Sequence, residues 1–363
     1  MVTRIFFKFL TLIPPLLYIY PIMTQTSIHR RRVAFINTLY NTRRFLMLLP
    51  LLLSAFVSPA RSADDTLFRV YSRAAPQSAV SRSLAGAGSA LSHDIFQGLL
   101  NPALTTARIG AKGAFEAGYG RDDVFNKLAL PFGAVFFENG GALGVFYRYL
   151  NGDSGAVHEA TVNFAGRLFE QMDPEEAGPV DFGMNIRYEN SKWRYNIRDS
   201  AISARGSSLI LDIGFYQKYL PGFDFSLVFS NVAGYRWSEA DGRDKSEGWI
   251  DGRHCLITVG GLYSLPIAGT FLLRIPVDLE VANAFSKSRP TAYMPRVGAE
   301  LRIAQMYSAR FGYARATRDP AELITKFELE NLFFGGVGVA VKGFLLDVFA
   351  GKNEFGTTIT YGY

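Results

Sequence analysis

The chain has 363 residues, 48% hydrophobic, 14% aromatic and 19% charged, with one cysteine, Cys255, and a mean hydropathy of +0.09. That apolar content excludes an intrinsically disordered chain, and a single cysteine excludes an internal disulfide framework. The net charge of +6 belongs to the leader: residues 1–62 hold eight Lys or Arg and no acidic residue, so the remainder has 30 basic against 32 acidic residues, a charge of −2. No phosphate-neutralising patch is left there, and no nucleic-acid partner is expected.

Within residues 1–62, Thr42-Arg43-Arg44, the apolar run Phe45 to Val57 and Ser58-Pro59-Ala60-Arg61-Ser62 match the three regions of a secretory signal peptide. Cleavage is expected near Ser62 or Ala63. The run is short of the roughly 20 residues a spanning helix needs. An earlier apolar stretch, Ile5 to Met23, is broken by Lys8, Pro14, Pro15 and Pro21, which fits a true start downstream of Met1.

From residue 107 onward the dominant period is two, the period of a strand with unlike faces. Tyr293, Pro295, Val297, Ala299, Leu301 and Ile303 alternate with Arg296, Gly298, Glu300 and Arg302. The same split runs through Phe271 to Val281 against Arg274, Asp278 and Glu280, and through Tyr307 to Tyr313 against Arg310. We expect fourteen strands, at 107–119, 124–137, 142–150, 156–169, 179–190, 207–219, 222–235, 252–265, 269–285, 293–304, 306–316, 331–342, 343–351 and 354–363. Soluble strands average five or six residues. An even number of strands about ten residues long is what a tilted strand crossing a bilayer requires.

With both termini in the periplasm, the outside connections follow odd strands. Two of these, Ser191–Gly206 and Arg236–Asp251, are expected as the longest loops, while Leu220-Pro221, Leu265 to Ala268 and Gln305 make tight turns. Glu170–Pro179 is a long connection on the short side. The last strand places Phe355, Thr357, Ile359, Tyr361 and Tyr363 outward; Tyr361 and Tyr363 form an aromatic C-terminal assembly signal for the barrel-assembly machinery.

Between the leader and the first strand lie Gly86-Ala87-Gly88 and, later, Asn101-Pro102-Ala103. With Leu211-Asp212-Ile213-Gly214 and Ser230-Asn231-Val232-Ala233-Gly234, they resemble the patterns of the FadL-type hydrophobic-compound transporters and their PorV-type relatives. The resemblance implies a fourteen-stranded barrel whose N-terminal segment folds into the lumen as a hatch, with Gly86, Gly88, Asn101, Pro102 and Ala103 as its motif. It implies a leader over 1–62, a hatch over 63–106 and a transmembrane barrel over 107–363. The mature chain is shorter than a typical FadL transporter, which moves weight toward the PorV-type branch.

Competing chemistry is poorly supported. Gly86-x-Gly88 lacks the third glycine and the buried strand of a dinucleotide fingerprint, and His93, His158 and His254 have no nucleophile or metal spacing. No enzyme, cofactor or metal is expected. Arg148, Asp212, Arg274, Asp278, Glu280, Arg296, Glu300, Arg302 and Arg310 are expected to face the lumen, which is polar in barrels by default. Trp193, Tyr195, Trp237 and Trp249, placed in the two long loops, fit either a ligand groove or an interfacial girdle.

The fold expected is therefore all-β, a transmembrane antiparallel up-and-down barrel in the outer membrane, surrounded by lipid. Its expected function is passage of hydrophobic small molecules. The alternative is a platform or shuttle for secreted proteins.

Overall fold

The computed structural model describes residues 78–92, 94–107, 112–121, 126–138, 141–152, 155–169, 179–197, 200–240, 244–250, 256–282, 291–316, 330–351 and 354–361. The leader, the cleavage site, His93, His254, Cys255, Tyr363 and most of Glu170–Pro179 lie outside the described residues. Among the described residues, two short helices, α1 (Ala79–Ser83) and α2 (Gln97–Leu100), and a 3-10 turn at Pro102–Ala107 precede fifteen strands. These are β1 (Lys112–Arg121), β2 (Asn126–Glu138), β3 (Gly141–Gly152), β4 (Gly155–Phe169), β5 (Val180–Ile197), β6 (Ser200–Leu220), β7 (Phe223–Ala240) and β8 (Asp244–Ile250). There follow β9 (Leu256–Ala268), β10 (Phe271–Ala282), β11 (Ala292–Ile303), β12 (Tyr307–Ala316), β13 (Glu330–Val341), β14 (Phe344–Gly351) and β15 (Glu354–Tyr361).

All fifteen form one antiparallel sheet that closes on itself. Each strand pairs with its sequence neighbour except that β8 does not pair with β9; β1 pairs with β15, and the circle is completed by β6–β7 and β7–β9. Strands β8 and β9 share one position in the ring, because β7 pairs with β9 over Phe223–Ser230 and with β8 over Gly234–Ala240. The ring therefore has fourteen positions, as the alternation predicts. Closure leaves no unpaired backbone edge toward lipid, the condition for a sheet to span a bilayer.

Side chains alternate across the wall. Outward positions include Phe136, Leu143, Val162, Phe164, Ile186, Val277, Val297, Phe311, Val337, Leu346 and Ile359, all large, apolar and exposed. Such a surface costs free energy in water and none in hydrocarbon. Aromatic residues mark its two edges: Tyr219, Phe271, Tyr307, Phe344 and Tyr361 on the side of the tight turns, Tyr188, Trp237, Tyr293, Phe333 and Phe355 on the other. Tyr361 faces outward against Phe344, with ring centroids 5.1 Å apart, and its backbone pairs with Gly113 across the closing seam.

The two ends differ. Turns at residues 221–222, 269–270, 304–306 and 342–343 are short. At the other end the described residues of the expected loops Ser191–Gly206 and Arg236–Asp251 are instead strand. Strand β5 continues to Ile197, β6 begins at Ser200 and is 21 residues long, β7 continues to Ala240, and β8 occupies Asp244–Ile250. A span needs about 9–11 residues, whereas β14 has only 8. The wall at β5–β8 thus stands well clear of the apolar band. Amphipathic alternation ends where lipid ends, but cross-strand pairing continues, so a reading based on apolar faces stops each strand too early.

Candidate functional site

Residues 78–106 lie within the ring. The 3-10 turn touches β2 to β6, while α1 touches β12 to β15 on the opposite wall. The segment holds its own shape through a capping box at Ser78 and Ser81. The Ser78 hydroxyl also donates to Asp94 Oδ2 at 2.7 Å, and Asp94 Oδ1 accepts from the Gln97 amide at 3.1 Å. Its apolar residues pack on inward wall residues: Val80, Leu84, Ala90 and Leu91 on Leu262; Ile95 and Phe96 on Val135 and Phe146; Ala103 and Leu104 on Tyr216.

The motif residues account for the attachment. Gly86 adopts φ +78°, a conformation glycine alone takes without strain, and sits against the Arg296 guanidinium. The Gly88 and Ser89 amides donate to Asp278 Oδ2 at 2.9 and 3.0 Å, and the Ser89 hydroxyl donates to Asp278 Oδ1 at 2.8 Å. Asn101 is extended, as a residue before proline should be. Its Nδ2 donates to the carbonyls of Ser89 and Phe215, and its Oδ1 accepts from the Ala103 amide at 3.1 Å. On the wall side, a Cβ at Gly183 would overlap Pro102, one at Gly214 would overlap Asn101, and one at Gly312 would overlap the Leu84–Ala85 backbone. The wall has lost side chains where the segment's backbone comes closest.

All nine lumen charges named from the alternation lie on inward-facing positions, and most are paired. Arg148 bonds Glu159, and Arg187 lies 3.9 Å from Glu159 and 3.5 Å from Asp212. On the opposite wall Arg274 pairs with Glu300 at 3.0 Å, and Arg310 bridges Glu300 at 2.8 Å and Asp347 at 2.5 Å. Arg296 lies 3.3 Å from Glu280, and Arg302 is partly buried near that second group. Burial of these paired ions is tolerated because each has its counter-ion. Glu159, Arg187 and Asp347 share the same parity on their strands and were equally legible as inward charges.

One part of the inner wall is apolar. Leu256, Ala282, Ala292, Met294, Ala314 and Phe334 form a buried cluster with Leu332 beside it and Ala85 of the segment as its base. Each wall residue lies within four residues of its strand's end on the side away from the tight turns. Arg82 closes one border, its guanidinium 5.6 Å from the Phe334 ring centroid and its Nη2 2.5 Å from Glu354. Elsewhere the apolar residues of the inner wall, Leu262, Val135, Phe146 and Tyr216, are covered by several residues of the segment, whereas here it contributes Ala85. The cluster was missed because the inward face was read by its charges. Continuing the same parity from Arg296 gives Met294 and Ala292, and from Glu280 gives Ala282.

The four named aromatics are on strands, not loops. Trp193 pairs with Gly155 and Ala204, Tyr195 with Ile202, and Trp249 with Tyr235; the side chains of these three lie outside the described residues. Trp237 faces outward, with its ring centroid 6.0 Å from Tyr235 and 6.3 Å from Tyr188. Among the described residues no group of three or more His, Cys, Asp or Glu side chains is placed to hold a metal ion.

No family profile matches this chain, and no curated protein matches it in sequence. Solved structures do match. The CymD monoaromatic hydrocarbon channel superposes with a TM-score of 0.51 at 12% identity, covering 79% of this chain and 97% of that one. The Pseudomonas putida toluene transporter TodX superposes with a TM-score of 0.50 at 9% identity, covering 78% of this chain and 96% of that one. At such identities the likeness is one of fold. The chain shares the closed antiparallel β-barrel fold of these two channels, the kind of fold that the resemblance of Gly86–Gly88 and Asn101–Ala103 implies.

Proposed function

We propose that this barrel passes hydrophobic small molecules across the outer membrane, receiving them from the outer side on the apolar lumenal cluster. The observation that carries the reading is the cluster itself, an apolar group of Leu256, Met294, Leu332 and Phe334 at one end of the lumen. Paired charges around it offer no net attraction to an ion, whereas burying a neutral apolar ligand gains about 25 cal/mol per Å² of surface. The segment over residues 78–106 acts as a hatch. It keeps the lumen from becoming a water-filled pore, so the ligand leaves the cluster without a hydrophilic leak. The fold shared with a monoaromatic hydrocarbon channel and a toluene transporter is consistent with such cargo.

The test is a photoactivatable neutral aromatic probe added to the protein in outer-membrane vesicles, with the cross-linked residues mapped by mass spectrometry. Labels on Leu256, Met294, Leu332 or Phe334, competed by unlabelled aromatic, support the reading. Labels confined to lipid-facing residues such as Phe311 and Val337 contradict it.

A second reading, a platform for secreted proteins, is favoured by the projecting β5–β8 wall. It predicts that shortening β5–β6 between Lys192 and Arg205 abolishes function while leaving the probe labels unchanged.

A further inference from the structure

The outward face of β3–β7 carries a graded sequence of cross-strand rows. The first, Val145, Val162, Ile186, Leu211 and Ala233, is apolar. The next, Tyr147, Ala160, Tyr188, Leu209 and Tyr235, is aromatic-rich, and the one above it, Tyr149, His158, Asn190, Ser207 and Trp237, mixes polar groups with rings. Its polar groups are satisfied within the face: Tyr147 Oη and His158 Nδ1 are hydrogen-bonded at 2.6 Å, and Asn190 Nδ2 donates to Ser207 Oγ at 2.8 Å. The row above that runs Asn151, Ala156, Lys192, Arg205 and Glu239. Successive rows are about 7 Å apart along a strand, and aromatic rows mark the lipid–headgroup boundary. Lys192 and Arg205 therefore stand at headgroup height on the outside of the barrel.

Lys192 and Arg205 are directly opposite one another, and both are exposed. Like charges in that position, with Cβ atoms about 5 Å apart, destabilise a sheet. Neither makes an ion pair with another described residue, and Glu239, the carboxylate in their cross-strand row, flanks only Arg205. We propose that Lys192 and Arg205 form a docking site for the phosphate group of a phosphorylated glycolipid in the outer leaflet, the anion offsetting their mutual repulsion. The guanidinium binds phosphate through two parallel donors while the ammonium adds a point charge. Trp237 and Tyr188 below them cover the sugar and the first part of the acyl chains. The site faces away from the lumen and serves to seat the tall β5–β7 wall in the lipid.

Native mass spectrometry of the detergent-extracted full-length protein tests this, using a bis-phosphorylated diglucosamine lipid, the same lipid without phosphates, and inorganic phosphate. The K192Q/R205Q variant should retain the phosphorylated lipid at least tenfold more weakly than wild type. The turn variant K342Q should match wild type, and the dephosphorylated lipid should bind all three equally weakly. Equal retention by K192Q/R205Q and wild type overturns the proposal, as does displacement of the lipid by inorganic phosphate at equal concentration, which would identify a site for free anions. If the double variant does not assemble, the wild type decides: the phosphorylated lipid should be lost as salt rises, because an exposed pairing is screened, and salt-independent retention overturns the site.

Discussion

Replacing Asp278 with alanine should loosen the lumenal segment while leaving the barrel intact. Asp278 accepts three hydrogen bonds, at 2.9 Å from the Gly88 amide and at 3.0 and 2.8 Å from the Ser89 amide and hydroxyl. Its backbone stays in register with Gly260 and Arg296 whichever side chain it carries. Leaving a buried donor without an acceptor costs about 1–3 kcal/mol. Two stranded amides give about 2–6 kcal/mol, while the Ser89 hydroxyl can turn to Ser226, 2.7 Å away. At about 1.4 kcal/mol per factor of ten, the docked form of this stretch is disfavoured about 30- to 10⁴-fold. Asp278→Asn, which keeps a neutral acceptor, should fall between.

A companion change, Gly312→Leu, puts a Cβ where the Leu84–Ala85 backbone now lies and acts on the same segment from another strand. Planar-bilayer recording is the assay. Both variants should open ion-conducting events that wild type lacks, since the exposed lumen is lined by Arg274, Glu300, Arg310 and Asp347. Both should still run as heat-modifiable barrels on unheated gels. If Asp278→Ala and Gly312→Leu assemble and stay as silent as wild type, the segment is not what blocks the lumen. Free conduction by the wild type would refute the same reasoning from the other side.

Glu300→Gln should be the most damaging single change in the lumen, because it strips Arg274 of its counter-ion and leaves Arg310 with Asp347 alone; a loss of about 3–5 kcal/mol should appear as a lowered midpoint in urea-dependent folding into lipid vesicles. Gly214→Leu should displace Asn101 and Pro102, read as faster proteolysis of residues 78–106 in an otherwise heat-modifiable barrel. Tyr361→Lys should reduce the amount assembled in the membrane without changing synthesis, measured by pulse-chase; unchanged assembly would show that the outward aromatic at the closing strand is not read by the assembly machinery.

Much of this fold is legible because lipid imposes a strict rule on one face. Glu300 and Arg310 declare themselves inward, since the alternative is a charge in hydrocarbon, and Phe311 and Val297 beside them declare the outward side. Where lipid ends, the rule ends, and that is why Ser191-Lys192-Trp193-Arg194 and Arg236-Trp237-Ser238 read as loops although they pair as strands. The Asn101-Pro102-Ala103 motif gives its position in the chain. Its partner Gly214, and the acceptor Asp278 for Gly88, appear only when strands far apart in sequence close into a ring. The apolar cluster escaped for a different reason: its members are one or two residues on each of five strands, and Ala282, Ala292 and Ala314 are too small to mark a face on their own.

The most direct test of the central claim is uptake by intact cells. In a Gram-negative host lacking its own channels for hydrophobic compounds, cells assembling this protein should accumulate a labelled neutral aromatic hydrocarbon several-fold faster than cells with empty vector. Met294→Asp/Phe334→Asp, assembled to the same level, should fall to the vector rate, and uptake of a labelled hydrophilic sugar should be the same in all three. Equal hydrocarbon uptake with and without the protein, or a rise in sugar uptake instead, would contradict the account.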